Sequence, residues 1–461
     1  MNPRTADTQQ SIWKDLSEDT FRNHLVLLEE RTNAVPVDSR VFPVGSPATK
    51  RSAQHYDLSI SDEQRLADAF ALLVAVQEGA QSVAAVCLEE RIHEHTLTVR
   101  FAAVDFIGLD LQQSLHAVID LLATPDNTDA RDHRFKELFH LVVRLHFKRI
   151  LGRLRSSKWE KPKYLSRTHK KSLWQDFDNL AHRVQFVYTK REKDLRDEVQ
   201  KNLRTLADTY FRFEIMPAAS VEEFSALVHL IHISYDFCTS KAAQDYAQRI
   251  SNAGKTNQVR SAVKTLRQIE KIAAYYRVPE TLMRVSQRYP QYFRAEGLRM
   301  EYLAPYASIP TSIGYEDWAK TCHVHAEIQL VVYYDMHSWD SYMLDTPNHE
   351  RSMPRVLGTS KYLCYLCYLF IKFHGRFPAA NTHGRLYDQW TIPDLADYDQ
   401  ELCERYRQVI RSMDEEIMAH ASKQPCWRAE PMTSRENLLD GVQDESSIVL
   451  SQAARPDTAR A

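Results

Sequence analysis

Glycine is scarce in this chain, with 11 glycines among 461 residues. Few positions can therefore adopt a positive φ at low cost, which favours long helices over hairpin-rich β structure. No run of eighteen apolar residues occurs in the sequence, and this argues against a membrane-spanning helix. The first ten residues, MNPRTADTQQ, are polar and lack the apolar segment that a secretory signal needs. We expect no association with a membrane.

Cysteine is also sparse, and the net charge is small. The 7 cysteines are few and odd in number, which does not fit the disulfide framework of a secreted protein. We therefore expect an intracellular protein, cytoplasmic or nuclear, whose reduced thiols can bind metal. The formal net charge is −2, so the charge of the whole chain gives no argument for binding nucleic acid. Hydrophobic residues make up 44% of the chain, enough for a packed core.

Patterning divides the chain into four parts. Residues 1–50 are polar and are punctuated by Pro36, Pro43 and Pro47, which predicts a partly disordered lead-in. Residues 51–294 follow a helical periodicity and predict a helix-rich region of unknown role. Residues 295–425 alternate short apolar runs with turns and predict a compact domain of their own. Residues 426–461 are polar and predict a disordered tail.

Three local signals accompany this division. The segment Ser220-Val-Glu-Glu223 has the pattern of a capping box at the start of an amphipathic helix. Residues 96–104, TLTVRFAAV, are compatible with a strand or with the start of a helix, and periodicity does not decide between them. A further amphipathic helix is predicted over residues 397–420.

The main chemical signal is a His-Ala-Glu triplet followed by Cys-x-x-Cys. His325 and Glu327 come first, and Cys364 and Cys367 follow, with the first cysteine 39 positions after the histidine. One histidine and two thiolates supply three zinc ligands and leave the fourth tetrahedral position to water, as in a catalytic zinc site. The glutamate is then a proton carrier. These residues predict hydrolytic loss of ammonia from a nucleobase-like ring.

Both halves of the motif stand beside apolar runs. Residues 328–334 suit a buried helix whose first turn would carry His325 and Glu327. Residues 354–358 predict a short buried strand, and residues 359–360 are candidate caps of a second helix. That helix would carry both cysteines in its opening turns, where the helix dipole lowers the pKa of a thiol.

Two structural alternatives stay open for the same residues. A closed zinc knuckle could be completed by Cys322, His323 or His337, and such a site would leave no position for water. In the other alternative no metal binds, and the thiols are buried as small hydrophobic groups.

The sequence around the motif resembles a known family. Residues 324–332, VHAEIQLVV, and residues 358–367, GTSKYLCYLC, are similar to the OTT-type nucleic acid/nucleotide deaminases. This mainly fungal branch belongs to the zinc-dependent cytidine deaminase-like superfamily. The later pattern His383-Gly-Arg-Leu-Tyr-x-x-Trp390-x-x-Pro393 is similar to the same branch. The resemblance covers residues 295–400, under a quarter of the chain.

The resemblance implies a fold, a metal and roles for four residues. The fold is a cytidine deaminase-like three-layer α/β/α domain, here preceded by a large, mostly α-helical region. One Zn²⁺ per chain is held by His325, Cys364 and Cys367. Glu327 acts as general acid/base, and zinc-bound hydroxide is the nucleophile.

We therefore expect a zinc-dependent hydrolase that deaminates a cytosine-like or adenine-like base in a nucleotide or nucleic acid. One alternative is a catalytically inactive zinc-binding module that recruits partners. Another is a deaminase of a non-nucleobase amidine or guanidine substrate. The sequence leaves oligomerisation open.

A basic segment lies well ahead of the motif. Residues 144–171 hold eleven lysines and arginines and the single acidic residue Glu160, with Trp159 and Tyr164 among them. Such a segment could contact phosphates and stack on bases, or it could be a solvated helix end and loop. The eight candidate contacts to nucleic acid are Arg144, Lys148, Arg149, Arg153, Arg155, Lys158, Lys161 and Lys163.

Other residues near the motif have two readings each. Tyr387 and Trp390 could stack on a base or belong to the core. Lys361 could meet a phosphate or simply begin a helix. His374 and His383 lie near glycines in loops, and we do not expect either to bind the metal.

Overall fold

The computed structural model describes residues 10–42, 56–79, 82–123, 128–163, 171–254, 256–294, 296–337, 352–378, 380–428 and 431. The predicted tail therefore lies outside the described residues, except for 426–428 and 431, and so do residues 1–9 and 43–50 of the predicted lead-in. Among the described residues, no helix combines the length and the apolar character needed to cross a membrane.

The secondary structure is mixed and mainly helical. The α-helices are α1 (Glu18–Thr32), α2 (Ile60–Val74), α3 (Leu109–Ala123), α4 (Thr128–Leu145), α5 (Phe147–Leu154), α6 (Phe177–Val187), α7 (Lys193–Ile215), α8 (Glu223–Thr239), α9 (Lys241–Ser251), α10 (Asn257–Arg288), α11 (Ala326–Met336), α12 (Tyr365–His374) and α13 (Gln400–Ala421). The strands are β1 (Ala84–Arg91), β2 (Thr96–Ala103), β3 (Leu298–Tyr302), β4 (Ile309–Pro310), β5 (Thr321–Val324), β6 (Gly358–Thr359) and β7 (Trp390–Thr391).

The chain forms two compact units, and the first is discontinuous in sequence. Among the described residues, the first unit lies within Met1–Leu145 and Val278–Ser434, while the second lies within His146–Arg277. The four motif residues belong to the first unit. This division differs from the predicted boundary between residues 294 and 295. Strand β2, before that boundary, pairs with strand β3, after it, in one sheet.

That sheet has four strands in the order β3-β2-β1-β6. Strands β1 and β2 form an antiparallel hairpin, β6 is antiparallel to β1, and β3 is parallel to β2. Residues 96–104 are therefore a strand rather than a helix start, and every residue of β2 is buried. The alternation of polar and apolar residues from Thr96 to Phe101 fits this strand, although the structure buries the polar residues as well as the apolar ones.

Helices α2 and α11 pack on opposite faces of this sheet. Arg100 and Phe101 are successive residues of β2, so their side chains point to opposite faces. Phe101 meets Phe70 of α2, with ring centroids 6.0 Å apart. The Arg100 guanidinium lies 4.1 Å from the centre of the Tyr333 ring in α11. The buried Arg100 also pairs with Glu89 across the hairpin, at 2.7 Å between Nε and Oε1.

A second, smaller sheet lies in the same unit, with the order β4-β5-β7. Strand β5 is parallel to β7 and ends directly before His325. The amide of Gln329 connects the two sheets, since its Nε2 donates to the Ala103 carbonyl of β2 at 2.9 Å and to the Val324 carbonyl of β5 at 3.0 Å.

The predicted lead-in contains a packed helix. The Ser17 hydroxyl caps α1 by accepting a hydrogen bond from the Thr20 amide. The buried residues of α1 include Phe21 and Leu25, and the helix packs against α13. Helix α13 corresponds to the helix predicted over residues 397–420, and Asp399 caps it.

The capping box predicted at Ser220 in the second unit is not formed. Helix α8 begins at Glu223. The Glu223 carboxylate accepts a hydrogen bond from the Ala219 amide at 2.8 Å, whereas the predicted capping box requires one from the Ser220 amide. Ala219 has a φ of 57°, so the chain turns one residue earlier than the pattern assumes. The sequence predicted the helix but not its cap.

The approach of α2 to β6 requires a glycine. Strand β6 passes so close to α2 that a Cβ atom on Gly358 would lie 2.3 Å from the Ala67 carbonyl carbon. The next residue is held by the same helix, because the Thr359 amide donates to Asp68 Oδ1 at 2.9 Å.

We therefore expect Gly358→Ala to destabilise the protein by about 1–3 kcal/mol or more, because the new methyl group meets backbone rather than a movable side chain. Urea unfolding measures the effect. Gly108→Ala is the matched control, since nothing lies within 4 Å of a Cβ at that position. Equal stability of the two variants would contradict the close approach.

Candidate metal centre

His325 lies at the junction between β5 and α11. It is the N-cap residue of α11, with extended backbone angles and no capping hydrogen bond from its side chain. The predicted helix start is confirmed. The ring does not cap the helix. Its Nδ1 instead lies beside the cysteine pair, 3.6 Å from Cys364 Sγ and 3.3 Å from Cys367 Sγ.

Cys364 is itself the N-cap of α12. Its Sγ accepts a hydrogen bond from the Cys367 amide at 3.3 Å, so the thiol takes the part that serine usually plays. The predicted caps were wrong: Thr359 belongs to β6, and the Ser360 hydroxyl accepts from the Ala84 amide of β1 at 3.1 Å. The strand predicted over residues 354–358 is reduced to Gly358–Thr359.

The three donor atoms form a compact group that could hold a metal ion. They lie within 4.8 Å of one another. In a tetrahedral site, sulfur at about 2.3 Å and nitrogen at about 2.0–2.1 Å from zinc would lie about 3.6 Å apart. The observed distances of 3.6 and 3.3 Å between His325 Nδ1 and the two sulfur atoms are close to that value. The residues present fit such an ion.

None of the three candidates for a closed knuckle joins the group. Within the described part of the chain, the metal-ligating group comprises His325, Cys364 and Cys367. The remaining candidates make other contacts: Cys322 Sγ donates to the Asp388 carbonyl, His323 Nε2 lies 3.2 Å from Thr321 Oγ1, and His337 Nδ1 lies 2.8 Å from the Tyr333 carbonyl.

Glu327 lies beside the donor group without being part of it. It is in the first turn of α11, two residues after His325, and its side chain is buried. The Cys367 thiol is 3.6 Å from its Oε2. Burial raises the pKa of Glu327 above its ordinary value, although the charge of His325 opposes the shift. A carboxyl group with a raised pKa is suited to take up and release a proton near neutral pH.

The two thiols differ in their tendency to ionise. Burial raises the pKa of Cys367 well above that of an ordinary thiol. Burial acts in the same direction on Cys364, but hydrogen bonds from Cys367 and the charge of His325 hold the pKa of Cys364 well below that value. Cysteine and histidine ligands bind metal in their deprotonated forms, so binding at this site would release protons.

The loop at residues 381–385 runs alongside Cys364. The Leu363 amide donates to the Asn381 carbonyl at 2.8 Å, and the His383 amide donates to the Leu363 carbonyl at 3.1 Å. On the other side of the cysteine, the Tyr365 amide donates to the Arg385 carbonyl at 2.8 Å. The sequence motif of His325, Glu327, Cys364 and Cys367 did not predict that this loop lies beside the site. The sequence signal for the loop was the family-like pattern that begins at His383.

The aromatic residues predicted near the site have different environments. Trp390 is 1% exposed and packs against Phe370 and Phe21, so it belongs to the core and cannot stack on a base. Tyr387 is half-buried, and its ring lies 5.9 Å from that of His383.

Helices α11 and α12 are tied together at the ends far from the donor group. Asp335 in α11 accepts hydrogen bonds from His374 Nε2 at 2.8 Å, from Arg376 Nη1 at 2.6 Å and from the Tyr406 hydroxyl at 2.8 Å. His374 therefore contacts a carboxylate and is not part of the donor group in the described part of the chain. Burial opposes ionisation, but His374 and then Arg376 hold the pKa of Asp335 below its ordinary value.

We expect Asp335→Asn to destabilise the protein by about 3–5 kcal/mol at pH 7, because it removes one charge of a buried network. A depressed carboxylate pKa stabilises the fold above the unfolded value of about 3.9, and that contribution is lost as the pH falls through the folded pKa. The difference between wild type and variant in urea unfolding should therefore shrink below about pH 4.

The exposed Asp132 provides the control. Asp132→Asn should change the free energy of unfolding little at either pH. A difference between Asp335→Asn and wild type that stays constant from pH 7 to pH 3 would show that the Asp335 carboxylate does not stabilise the fold through its charge.

The basic segment is only partly available on the surface. The exposed candidates are Arg144, Lys148, Lys161 and Lys163. The other four make internal contacts: Arg149 is buried, Arg153 donates to the Lys271 carbonyl, Arg155 pairs with Asp176, and Lys158 Nζ lies 3.2 Å from Glu223 Oε1. Tyr164 lies outside the described residues. Nucleic-acid binding by the exposed residues stays a prediction.

Comparison with known proteins identifies one similarity. Residues 324–394 match the model of a family described as OTT_1508_deam-like deaminase. The matched residues include the whole donor group, Glu327 and the loop at 381–385. The match supports the predicted OTT-type resemblance and suggests a deaminase. No curated protein matches the chain, and no solved structure does.

Proposed function

We propose that this protein is a zinc-dependent hydrolase that deaminates a nucleobase carried by a nucleotide or nucleic acid. The observation that carries the proposal is the cluster of one imidazole and two thiols beside a buried glutamate, inside the residues that match a deaminase family. In this proposal His325, Cys364 and Cys367 are the metal ligands, and Glu327 is the general acid/base.

The donor set favours zinc over harder cations. Thiolate sulfur and imidazole nitrogen suit zinc, whereas magnesium and calcium prefer oxygen ligands. Three protein ligands leave one tetrahedral position open, as in catalytic zinc sites. Zinc in such a site lowers the pKa of a bound water to about 7 and so supplies the nucleophile at neutral pH.

Glu327 would carry the protons of the reaction. Its carboxylate would accept a proton from the attacking water and pass it to the ring nitrogen. It would then take the remaining proton from the new hydroxyl group and deliver it to the amine, which departs as ammonia. Its burial and raised pKa support this role, because the group must be able to exist both as carboxylate and as carboxylic acid.

The proposal includes a cytidine deaminase-like three-layer fold around the site. Its support is the placement of α2 and α11 on opposite faces of the four-stranded sheet. Strands β2, β1 and β6 are neighbours in that sheet. The two helices that carry the donor residues follow β5 and β6 in the chain, so the strands hold the start of each helix in place.

We expect the purified protein to contain one zinc ion per chain, and we expect His325→Ala and Cys364→Ser to lose it. Elemental analysis after purification without chelators measures the content. Cys426→Ser is the control, because Cys426 is exposed and lies outside the donor group. Wild-type protein without metal would remove the enzyme proposal.

Glu327→Gln should keep the zinc and the fold but lose turnover by about 10²–10⁴-fold, because the proton carrier is removed while the ligands stay in place. Ammonia release from a panel of nucleosides, nucleotides and oligonucleotides measures turnover. Metal-loaded wild type that releases no ammonia from any of them, yet binds a partner protein equally well with and without the substitution, would indicate an interaction module instead.

The same panel separates a base deaminase from one that acts on an amidine or guanidine. The covalent hydrate of a pyrimidin-2-one ribonucleoside resembles the tetrahedral transition state of cytosine deamination, so a deaminase of cytosine-like bases should bind this compound far more tightly than its substrate.

A further inference from the structure

His383 has a fixed ring with one defined donor. The side chain is 3% exposed, and its Nδ1 accepts a hydrogen bond from the Arg385 amide at 3.1 Å. Because Nδ1 is an acceptor, the proton of the neutral ring lies on Nε2. No residue in the described part of the chain accepts a hydrogen bond from this Nε2–H. A donor without an acceptor in the protein can donate to a ligand.

The backbone of His383 lies beside the residue that precedes the first cysteine of the cluster. Backbone hydrogen bonds join residues 381–385 to the residues on both sides of Cys364, so the loop cannot move away from the first cysteine without breaking them. Gly384 fixes the turn, since its φ is 74° and a Cβ there would lie 2.1 Å from the Val37 carbonyl oxygen. His383 is not part of the metal-ligating group.

The charges around His383 are positive. After burial, the groups that lower the pKa of His383, to about 3, are Lys361, Arg385 and His325. The ring is therefore neutral at physiological pH, and an anion placed beside it would be attracted by its neighbours. The Arg385 guanidinium lies 5.3 Å from the centre of the Tyr387 ring, and Lys361 Nζ donates to the Gly79 carbonyl at 2.5 Å.

We propose that His383 is a substrate-binding residue whose Nε2–H donates to a phosphate oxygen of the substrate, next to the cations Lys361 and Arg385. This inference rests on the proposed function, because it says where the phosphate of the proposed substrate binds. The phosphate belongs to a nucleotide monophosphate or to a polynucleotide backbone, and both present the same acceptor oxygens.

Two isosteric substitutions isolate the donor. Asn at 383 can still accept the Arg385 amide hydrogen bond near the position of Nδ1 but has no group at the position of Nε2. Gln can place an amide N–H near Nε2. We expect H383N to weaken binding of a phosphorylated probe by about 10- to 100-fold, as for loss of a hydrogen bond to a charged group, and H383Q to weaken it much less.

The probes are a pyrimidin-2-one ribonucleoside, its 5′-monophosphate, and a short single-stranded oligonucleotide that contains the same base. Calorimetry measures their affinities for full-length protein, and elemental analysis measures zinc in each variant. The proposal requires H383N to keep its zinc and its affinity for the nucleoside while it loses affinity for the monophosphate or for the oligonucleotide. Whichever of these two ligands shows the loss identifies the source of the phosphate.

The other outcomes separate this inference from the proposed function. If H383N binds all three probes as wild type does, His383 does not contact phosphate, and the deaminase proposal is unaffected. If the nucleoside loses as much affinity as the phosphorylated probes, the residue acts on the base or on the fold, and the inference is wrong. Wild type that contains zinc but binds none of these pyrimidine probes would overturn the inference together with the cytosine-like form of the proposed function.

Discussion

The site depends on one constraint, which is that two helices must begin at the same point in space. His325 precedes the first turn of α11, and Cys364 precedes the first turn of α12. Their donor atoms lie 3.6 Å apart although the two residues are 39 positions apart in the chain. Each helix starts where a strand or a loop anchored to a sheet ends. The pairing of β5 with β7, and of β6 with β1, therefore positions the donors as much as the helices do.

Helix N-termini also account for the chemistry of the donors. Unpaired amides at a helix start favour negative charge, and here they face a thiol at one helix and a glutamate in the first turn of the other. Burial raises the pKa of Cys364, but the hydrogen bond from the Cys367 side chain, the charge of His325 and the Cys367 amide together make Cys364 the more acidic of the two thiols. The peptide backbone is thus one of several groups that favour a thiolate at this position.

The sequence predicted those parts of the structure that depend on neighbouring residues. It located the start of α11 at His325 and the helix over residues 397–420, because each has an apolar pattern behind a polar cap. It misplaced the cap of α12, since a cysteine rarely acts as a cap. It also missed the discontinuous unit and the loop at His383, which depend on contacts between residues far apart in the chain.

The discontinuity of the first unit has a consequence for how this chain can be divided. The residues that match a deaminase family run from 324 to 394, so α2, β1 and β2 lie before the matched stretch. An excised fragment with those ends would lack most of the four-stranded sheet and the helix that covers one of its faces. The stretch that contains the four motif residues is thus smaller than the folded unit that positions them. Domain boundaries drawn from sequence similarity would cut through the core of that unit.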